Sequence, residues 1–130
     1  MKQNLKNNPK YTFAVGRRKS SSARVRLFKG KGISLVNGNK TDEKVFNKPF
    51  VLTDTLGKFY FSAKSVGGGK TGQTESIVLG IARALVKVDS DKYRSSLKKE
   101  GMLTRDARKR QRRMVGTGGK SRRQKQSPKR

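Results

Sequence analysis

The sequence predicts an α+β protein: a two-layer domain with a mostly antiparallel sheet packed against helices, followed by a long extended basic C-terminal tail. Segments in which apolar and polar residues alternate, as is typical of strands, come first, and a segment with apolar residues at helical spacing follows them. No apolar residue follows Val115, so the end of the chain cannot contribute to a core. We therefore divide the chain into a flexible N-terminus at 1–10, an α+β domain at 11–103 and a basic tail at 104–130.

Two segments near the start predict the first pair of strands. In YTFAV, residues 11–15, the aromatic residues Tyr11 and Phe13 alternate with smaller residues, and in ARVRLF, residues 23–28, apolar residues alternate with arginines. Each pattern is typical of a strand with one face in the core, and we expect the aromatic side chains to lie on that face. The basic loop GRRKSSS at 16–22 joins the two strands as an antiparallel pair.

The middle of the domain predicts a third strand and short helical turns. The third strand is ISLVN at 33–37, and the pair Asn37-Gly38, which is typical of tight hairpin turns, closes it. Residues 42–57 lack a long periodic pattern, and we expect short helical turns there with Phe50 and Val51 packed inward.

A further strand and the main helix follow. KFYFSAKSV at 58–66 alternates in the manner of a strand, and the glycines at 67–69 end it. Apolar residues then recur at helical spacing, at Ile77, Val78, Ile81, Ala82, Leu85 and Val88. We expect Thr71 or Thr74 to cap this helix, with Glu75 in its first turn. Gly80 costs the helix about 1 kcal/mol relative to alanine, and close packing on the sheet would explain it.

The last part of the chain changes character. A second helix is predicted at 90–100, where Tyr93 and Leu97 lie four residues apart. RDARKRQRR, residues 105–113, is charged on every helical face, so a helix there would have no apolar side to bury and would need contacts with a partner to hold it. Residues 101–130 carry twelve basic residues and a single acidic one, Asp106.

The charge of the whole chain indicates a polyanionic partner. The 130 residues include 34 Lys and Arg against 8 Asp and Glu, for a formal net charge of +26. Self-repulsion on this scale opposes compaction, and nucleic acid is the obvious source of the missing negative charge. Cysteine and histidine are absent, which excludes disulfides, cysteine-ligated zinc and the usual general base. We expect no cofactor, no metal and no small-molecule substrate.

The cellular setting is also limited by the sequence. No apolar run approaches the roughly 20 residues that a bilayer-spanning helix needs. The first ten residues lack the apolar centre of a secretory signal. We expect a soluble, intracellular protein that is not an enzyme and does not contact membranes.

VGGGKT at 66–71 is the segment that most resembles an enzymatic motif, because it joins a predicted strand to a helix as a phosphate-binding loop does. The spacing does not fit, since a Walker motif needs a glycine at the position of Lys64. No later strand ends in a plausible magnesium-binding aspartate. The segment is then either a plain strand-to-helix turn or a turn whose backbone amides and Lys70 approach RNA phosphates.

GRRKSSSARV at 16–25 combines four cations with three hydroxyl groups. Taken alone, such a run is usually a solvated loop. The overall charge favours phosphate binding instead, because guanidinium groups match phosphate oxygens bidentately and serines add neutral contacts. Most of the few aromatic residues are expected in the core, so recognition of phosphates and of folded RNA shape is favoured over stacking on an aromatic sheet.

Five motifs together resemble one family. GRRKSSSARV at 16–25, GGGKTGQ at 67–73, GIARAL at 80–85, LTRDAR at 103–108 and the terminal SPKR resemble the ninth protein of the small ribosomal subunit, bacterial type. The resemblance runs from about residue 11 to 130. It implies that the domain at 11–103 binds ribosomal RNA in the head of the small subunit, beside other head proteins. It further implies a tail that reaches the anticodon stem-loop of the peptidyl-site tRNA during translation.

The resemblance and the distribution of charge together assign binding residues. Lys129 and Arg130 match the terminal Lys-Arg of the family and are the expected tRNA contacts. One departure lies beside them: bacterial members usually end with an aromatic residue followed by Ser-Lys-Arg, whereas this chain has Gln126, Ser127 and an intruding Pro128 before Lys129. Proline still favours extended geometry. The expected ribosomal RNA contacts are Arg17, Arg18, Lys19, Arg24, Lys70, Arg105, Arg108, Lys109, Arg110, Arg112, Arg113, Lys120, Arg122, Arg123 and Lys125.

Two other functions compete with the ribosomal one, and the spacing at 66–71 disfavours the second of them. A nucleoid-type basic DNA-binding protein would carry the same charge, and a nucleoside triphosphatase would use the segment at 66–71. The ribosomal assignment implies a cytoplasmic ribosome, or an organellar ribosome of bacterial type.

Overall fold

Alternating side chains along three long segments produce the sheet. The structure, a computed structural model, describes residues 10–119. Its strands are β1 (Tyr11–Arg18), β2 (Ser21–Lys29), β3 (Leu35–Val36), β4 (Asn39–Lys40) and β5 (Phe59–Val66). They form one sheet in the order β1-β2-β5-β3-β4, in which β3 and β5 pair in parallel and the other pairs are antiparallel.

Helices cover one face of the sheet. After a 3₁₀ turn at Glu43–Phe46 come α1 (Lys48–Leu52), α2 (Lys70–Val88) and α3 (Ser90–Lys99). Helix α2 packs against β1, β2 and β5, and α3 packs against α2. The predicted α+β class, with a mostly antiparallel sheet against helices, is therefore confirmed.

The inward face of β1 is the opposite of the one we expected. Ala14 and Gly16 are buried, whereas Tyr11 is 50% exposed and Phe13 is 42% exposed on the outer side of the sheet. The core aromatic residues come instead from other elements, at Phe46, Phe50 and Phe61. The aromatic residues of β1 cannot face inward, because α2 lies too close to this strand for a large side chain to fit.

Two glycines set that close approach. A Cβ atom on Gly16 would lie 1.9 Å from the carbonyl oxygen of Ser76 and 2.5 Å from the amide nitrogen of Gly80. A Cβ atom on Gly80 would lie 2.6 Å from Cγ2 of Val25. Close packing on the sheet thus explains Gly80 inside α2, because the packing offsets the cost of a glycine to the helix.

The turns differ in length from the prediction. β1 and β2 extend to Arg18 and from Ser21, so a two-residue turn with Lys19 at φ 51° replaces the seven-residue loop. Asn37 and Gly38 form the predicted hairpin turn, both at positive φ, but the strand before them is only two residues long.

The predicted helices are present, with three corrections. Gly69 precedes α2 and no side chain caps it, while Thr74 lies inside the helix and donates its hydroxyl to the carbonyl of Lys70 at 2.9 Å. Neither predicted threonine cap forms, because the helix begins one residue after the glycines and Glu75 falls beyond its first turn. In α1, Phe50 is buried but Val51 is 54% exposed. Residues 105–114 have no regular secondary structure.

Candidate nucleic-acid interface

Two of the sequence motifs lie side by side at one end of the sheet. The Ser21 hydroxyl, at the start of β2, donates to the carbonyl of Gly67 at 2.9 Å, and the Gln73 side chain donates to the same carbonyl at 3.1 Å. A Cβ atom on Gly68 would lie 2.1 Å from the Ser21 hydroxyl oxygen. The glycines therefore let the turn after β5 pack directly on the β1–β2 hairpin.

The packing of this turn on the hairpin brings cations from separate parts of the chain close together. Arg17, Lys19 and Lys70 are all exposed there, and Lys70 is the first residue of α2. The unpaired amides at the start of a helix favour anions. We call the group of Arg17, Arg18, Lys19 and Lys70 the basic end of the domain.

Arg18 joins the basic end to the tail. Its Nε lies 2.5 Å from Oε2 of Glu75, and its Nη1 lies 3.1 Å from Oδ1 of Asp106 and donates to the carbonyl of Arg108 at 3.4 Å. The Arg18 side chain is only 14% exposed. Arg18 is thus largely occupied by two carboxylates, and a phosphate contact there would have to share the guanidinium group.

Asp106 is held by its neighbours. The side chain of Arg108 donates to both carboxylate oxygens, with Nη2 2.7 Å from Oδ2, and the Arg108 amide donates to Oδ1 at 3.1 Å. These hydrogen bonds lower the pKa of Asp106 well below its usual range, and the bond from the Arg108 side chain has a larger effect than the bond from the Arg108 amide. The same pairing raises the pKa of Arg108. The acid identified at the start of the tail therefore fixes the tail to Arg18 of β1, which itself pairs with Glu75 of α2.

On both sides of this attachment, the other predicted cations of the tail that the structure describes are exposed. These residues are Arg105, Lys109, Arg110, Arg112 and Arg113. Six further predicted contacts lie outside the described residues, namely Lys120, Arg122, Arg123, Lys125, Lys129 and Arg130. The described part of the tail leaves the domain directly beside the basic end.

Arg24 does not belong to this group. It is exposed on β2, on the side of the sheet away from α2, opposite Val15 on one neighbouring strand and Lys64 on the other. Arg26 and Lys64 share this side, and neither was among the predicted contacts. The alternation of arginines with buried residues in ARVRLF could have identified Arg26, since period-two alternation places both arginines on one face.

Residues 10–119 contain neither a metal site nor a membrane-spanning helix. No group of carboxylates there has the arrangement of a metal site. No helix in this part of the chain combines the length and apolar character needed to cross a membrane.

The fold and the charge are typical of a small α+β nucleic-acid-binding protein, in which four cations and the start of the tail lie together at one end of the sheet. Residues 16–130 match the family described as Ribosomal protein S9/S16. The chain belongs to this family, which confirms the resemblance inferred from the motifs.

Individual relatives agree with the family. Over 117 residues the chain is 43% identical to the small ribosomal subunit protein uS9 of Maridesulfovibrio salexigens, covering 84% of this chain and 89% of that protein. It is also 43% identical over 114 residues to the uS9 proteins of two Dehalococcoides mccartyi strains, covering 82% of this chain and 86% of each relative.

Proposed function

We propose that this chain is a structural protein of the small ribosomal subunit, that it binds ribosomal RNA in the subunit head, and that its C-terminal tail extends to the anticodon stem-loop of the peptidyl-site tRNA. The observation that carries the proposal is the gathering of the basic end and the start of the tail at one side of the domain. Family membership supports it independently. Its partners are ribosomal RNA, peptidyl-site tRNA and neighbouring head proteins, and the proposal includes no catalytic role.

The electrostatics favour binding that depends on assembly. A chain with a net charge of +26 loses repulsion when phosphates surround it. Each phosphate contact releases counterions, so binding weakens as salt rises. The exposed cations of the basic end and of residues 105–113 supply these contacts in the described part of the chain.

The domain and the tail have different roles in this proposal. Arg18, Glu75 and Asp106 fix the point at which the tail leaves the domain. RNA contacts along the tail then offset the entropy cost of ordering it. Lys129 and Arg130, matched to the family's terminal residues, are the proposed tRNA contacts.

Cosedimentation tests the proposal against DNA binding. The purified chain should sediment with small subunits in moderate salt, even when competing double-stranded DNA is present. A variant with Arg17→Ala, Lys19→Ala and Lys70→Ala should dissociate at lower salt, while Arg94→Ala on α3 should behave as the parent chain. Release of the parent chain into the DNA-bound fraction would favour the nucleoid-type alternative.

A further inference from the structure

The side of the sheet opposite α2 carries a second group of cations together with aromatic side chains. Along β1, β2 and β5, the residues that point away from α2 align in rows across the three strands. We call this surface the outer face. Its two middle rows are Phe13, Arg26 and Ser62, and Val15, Arg24 and Lys64.

The cations of the outer face repel one another and have no acidic partner in the strands that carry them. Arg24 and Lys64 are direct cross-strand partners, and like charges in such positions destabilise a sheet. β1, β2 and β5 contain no acidic residue. Within residues 10–119, none of Arg24, Arg26 and Lys64 forms an ion pair. An anionic group between these strands would relieve the repulsion.

Aromatic rings lie next to these cations. The rings of Phe28 and Tyr60 stack with centroids 4.9 Å apart, and Tyr11 lies 5.8 Å from Phe28 in a tilted arrangement. The Arg26 guanidinium is 5.3 Å from the centre of the Tyr11 ring. This row is already paired internally, whereas Phe13 is 42% exposed and takes part in no ring pair within the described residues. Phe13 therefore offers an aromatic surface beside two arginines.

The outer face is concave at this position. A depression of about 630 Å³ is bounded by Phe13, Arg24, Arg26 and Lys64, and by the hairpin turn that contains Asn37. The Asn37 side-chain oxygen accepts the amide hydrogen of Ser65 at 2.9 Å. Its NH₂ group remains a donor at the edge of the depression.

We propose that this depression binds an unpaired nucleotide of RNA, whose base stacks on Phe13 while its phosphates contact Arg24, Arg26 and Lys64. Stacking on an aromatic ring requires a base that can leave its own helix, and this costs less in single-stranded RNA than in a duplex, so the site selects the single strand. A protein partner would need carboxylates to match the cations but would not need a flat ring. The inference rests on the proposed RNA-binding function and deepens it, since it adds a nucleobase contact away from the basic end.

A single-tryptophan reporter tests the proposal, because the natural chain contains no tryptophan. Phe13→Trp in the full chain keeps an aromatic surface at the site, and we call this variant the site reporter. Leu56→Trp is the control reporter, since Leu56 is 54% exposed in the segment between α1 and β5. Thermal melting establishes that both variants fold. The probe is a short single-stranded oligoadenylate, compared with the same strand annealed to oligouridylate and with inorganic polyphosphate.

We expect oligoadenylate to quench the fluorescence of the site reporter strongly, and we expect the duplex and polyphosphate to leave it nearly unchanged. The control reporter should not respond. At salt high enough to suppress phosphate contacts by the tail, Phe13→Ala should weaken oligoadenylate binding about fivefold or more. In the site-reporter background, Arg24→Ala or Arg26→Ala should weaken the quenching titration, whereas Arg94→Ala should not.

Several results would overturn the inference. No base stacks at this position if oligoadenylate fails to quench the site reporter, or if polyphosphate quenches it equally. A response of the site reporter to RNA-free proteins of the small subunit, without a response to oligoadenylate, would make the outer face a protein interface. Cosedimentation of the same variants with small subunits separates the two ideas: retained cosedimentation without quenching refutes the nucleotide site alone, and loss of cosedimentation by the parent chain refutes the proposed function.

Discussion

Replacing Gly80 or Gly16 with alanine should lower the stability of the fold by different amounts. Gly80 faces a side chain, whereas Gly16 faces the backbone of α2. In Gly80→Ala the new methyl group would lie 2.6 Å from Cγ2 of Val25, well inside the contact distance of about 3.5–4.0 Å. Val25 is fully buried and β-branched, so it has little freedom to move. Overpacking of this kind costs about 1–3 kcal/mol, while the helix gains about 1 kcal/mol from alanine. The net expectation is a loss of roughly 1 kcal/mol.

Gly16→Ala should be far more damaging. Its methyl group would meet two backbone atoms of α2, 1.9 Å from the Ser76 oxygen and 2.5 Å from the Gly80 nitrogen. Only a shift of the whole helix away from β1 could make room, so we expect a loss of more than about 3 kcal/mol, at or beyond the upper end of overpacking costs. That shift would also separate Arg18 from Glu75.

Urea denaturation followed by circular dichroism measures these differences. The decisive comparison is Gly80→Ala in the parent and in a Val25→Ala background, where the obstructing methyl group is gone. There Gly80→Ala should stabilise by up to about 1 kcal/mol, so the two changes are strongly non-additive. Gly69→Ser is the control, because a Cβ atom there meets nothing within 4 Å and serine can cap α2, which adds a few tenths of a kcal/mol. Equal effects of Gly80→Ala in both backgrounds would refute the steric explanation.

Three further predictions concern charge. Removing Lys129 and Arg130 should leave cosedimentation with small subunits intact but weaken peptidyl-site tRNA binding. The dependence of log affinity on log salt concentration should become less steep, by roughly 0.9 per lost phosphate contact on a duplex scale. Unchanged tRNA affinity and salt dependence would contradict the assignment. The folded pKa of Asp106 is lowered, so its contribution to stability is fully present above the ordinary pKa of an aspartate and is lost as the pH falls toward and through the lowered value. NMR titration should find that low midpoint, and an ordinary aspartate midpoint would show that Arg108 does not hold the carboxylate in solution. Lys70→Ala should weaken subunit binding uniformly with a smaller salt slope, Arg94→Ala should not, and equal effects would mean that only total charge matters.

Most of the secondary structure could be predicted because it depends on local periodicity. The apolar spacing of α2 and the alternation in β2 and β5 each require only neighbouring residues to be read. The inward face of β1 could not be predicted from its own pattern. Two sets of residues compete for the core there, and the approach of a helix some sixty residues away decides between them through Gly16 and Gly80.

The candidate site, too, could be predicted only in part from the sequence. Charge and motifs identified its cations, but not which of them are free to bind. Arg18 resembles its neighbours in the sequence, yet in the fold Glu75 and Asp106 occupy it. Arg24, from the same motif, lies on the outer face instead.

The sequence by itself determined the α+β class, the basic tail and the family of this protein, because composition, periodicity and motif order are properties of the chain. Only the tertiary structure decided which aromatic rings are exposed, which arginine holds the tail and which cations share a face. Those outcomes depend on contacts between residues far apart in the chain, such as Arg18 and Glu75 at a separation of 57 positions, and no local pattern encodes them.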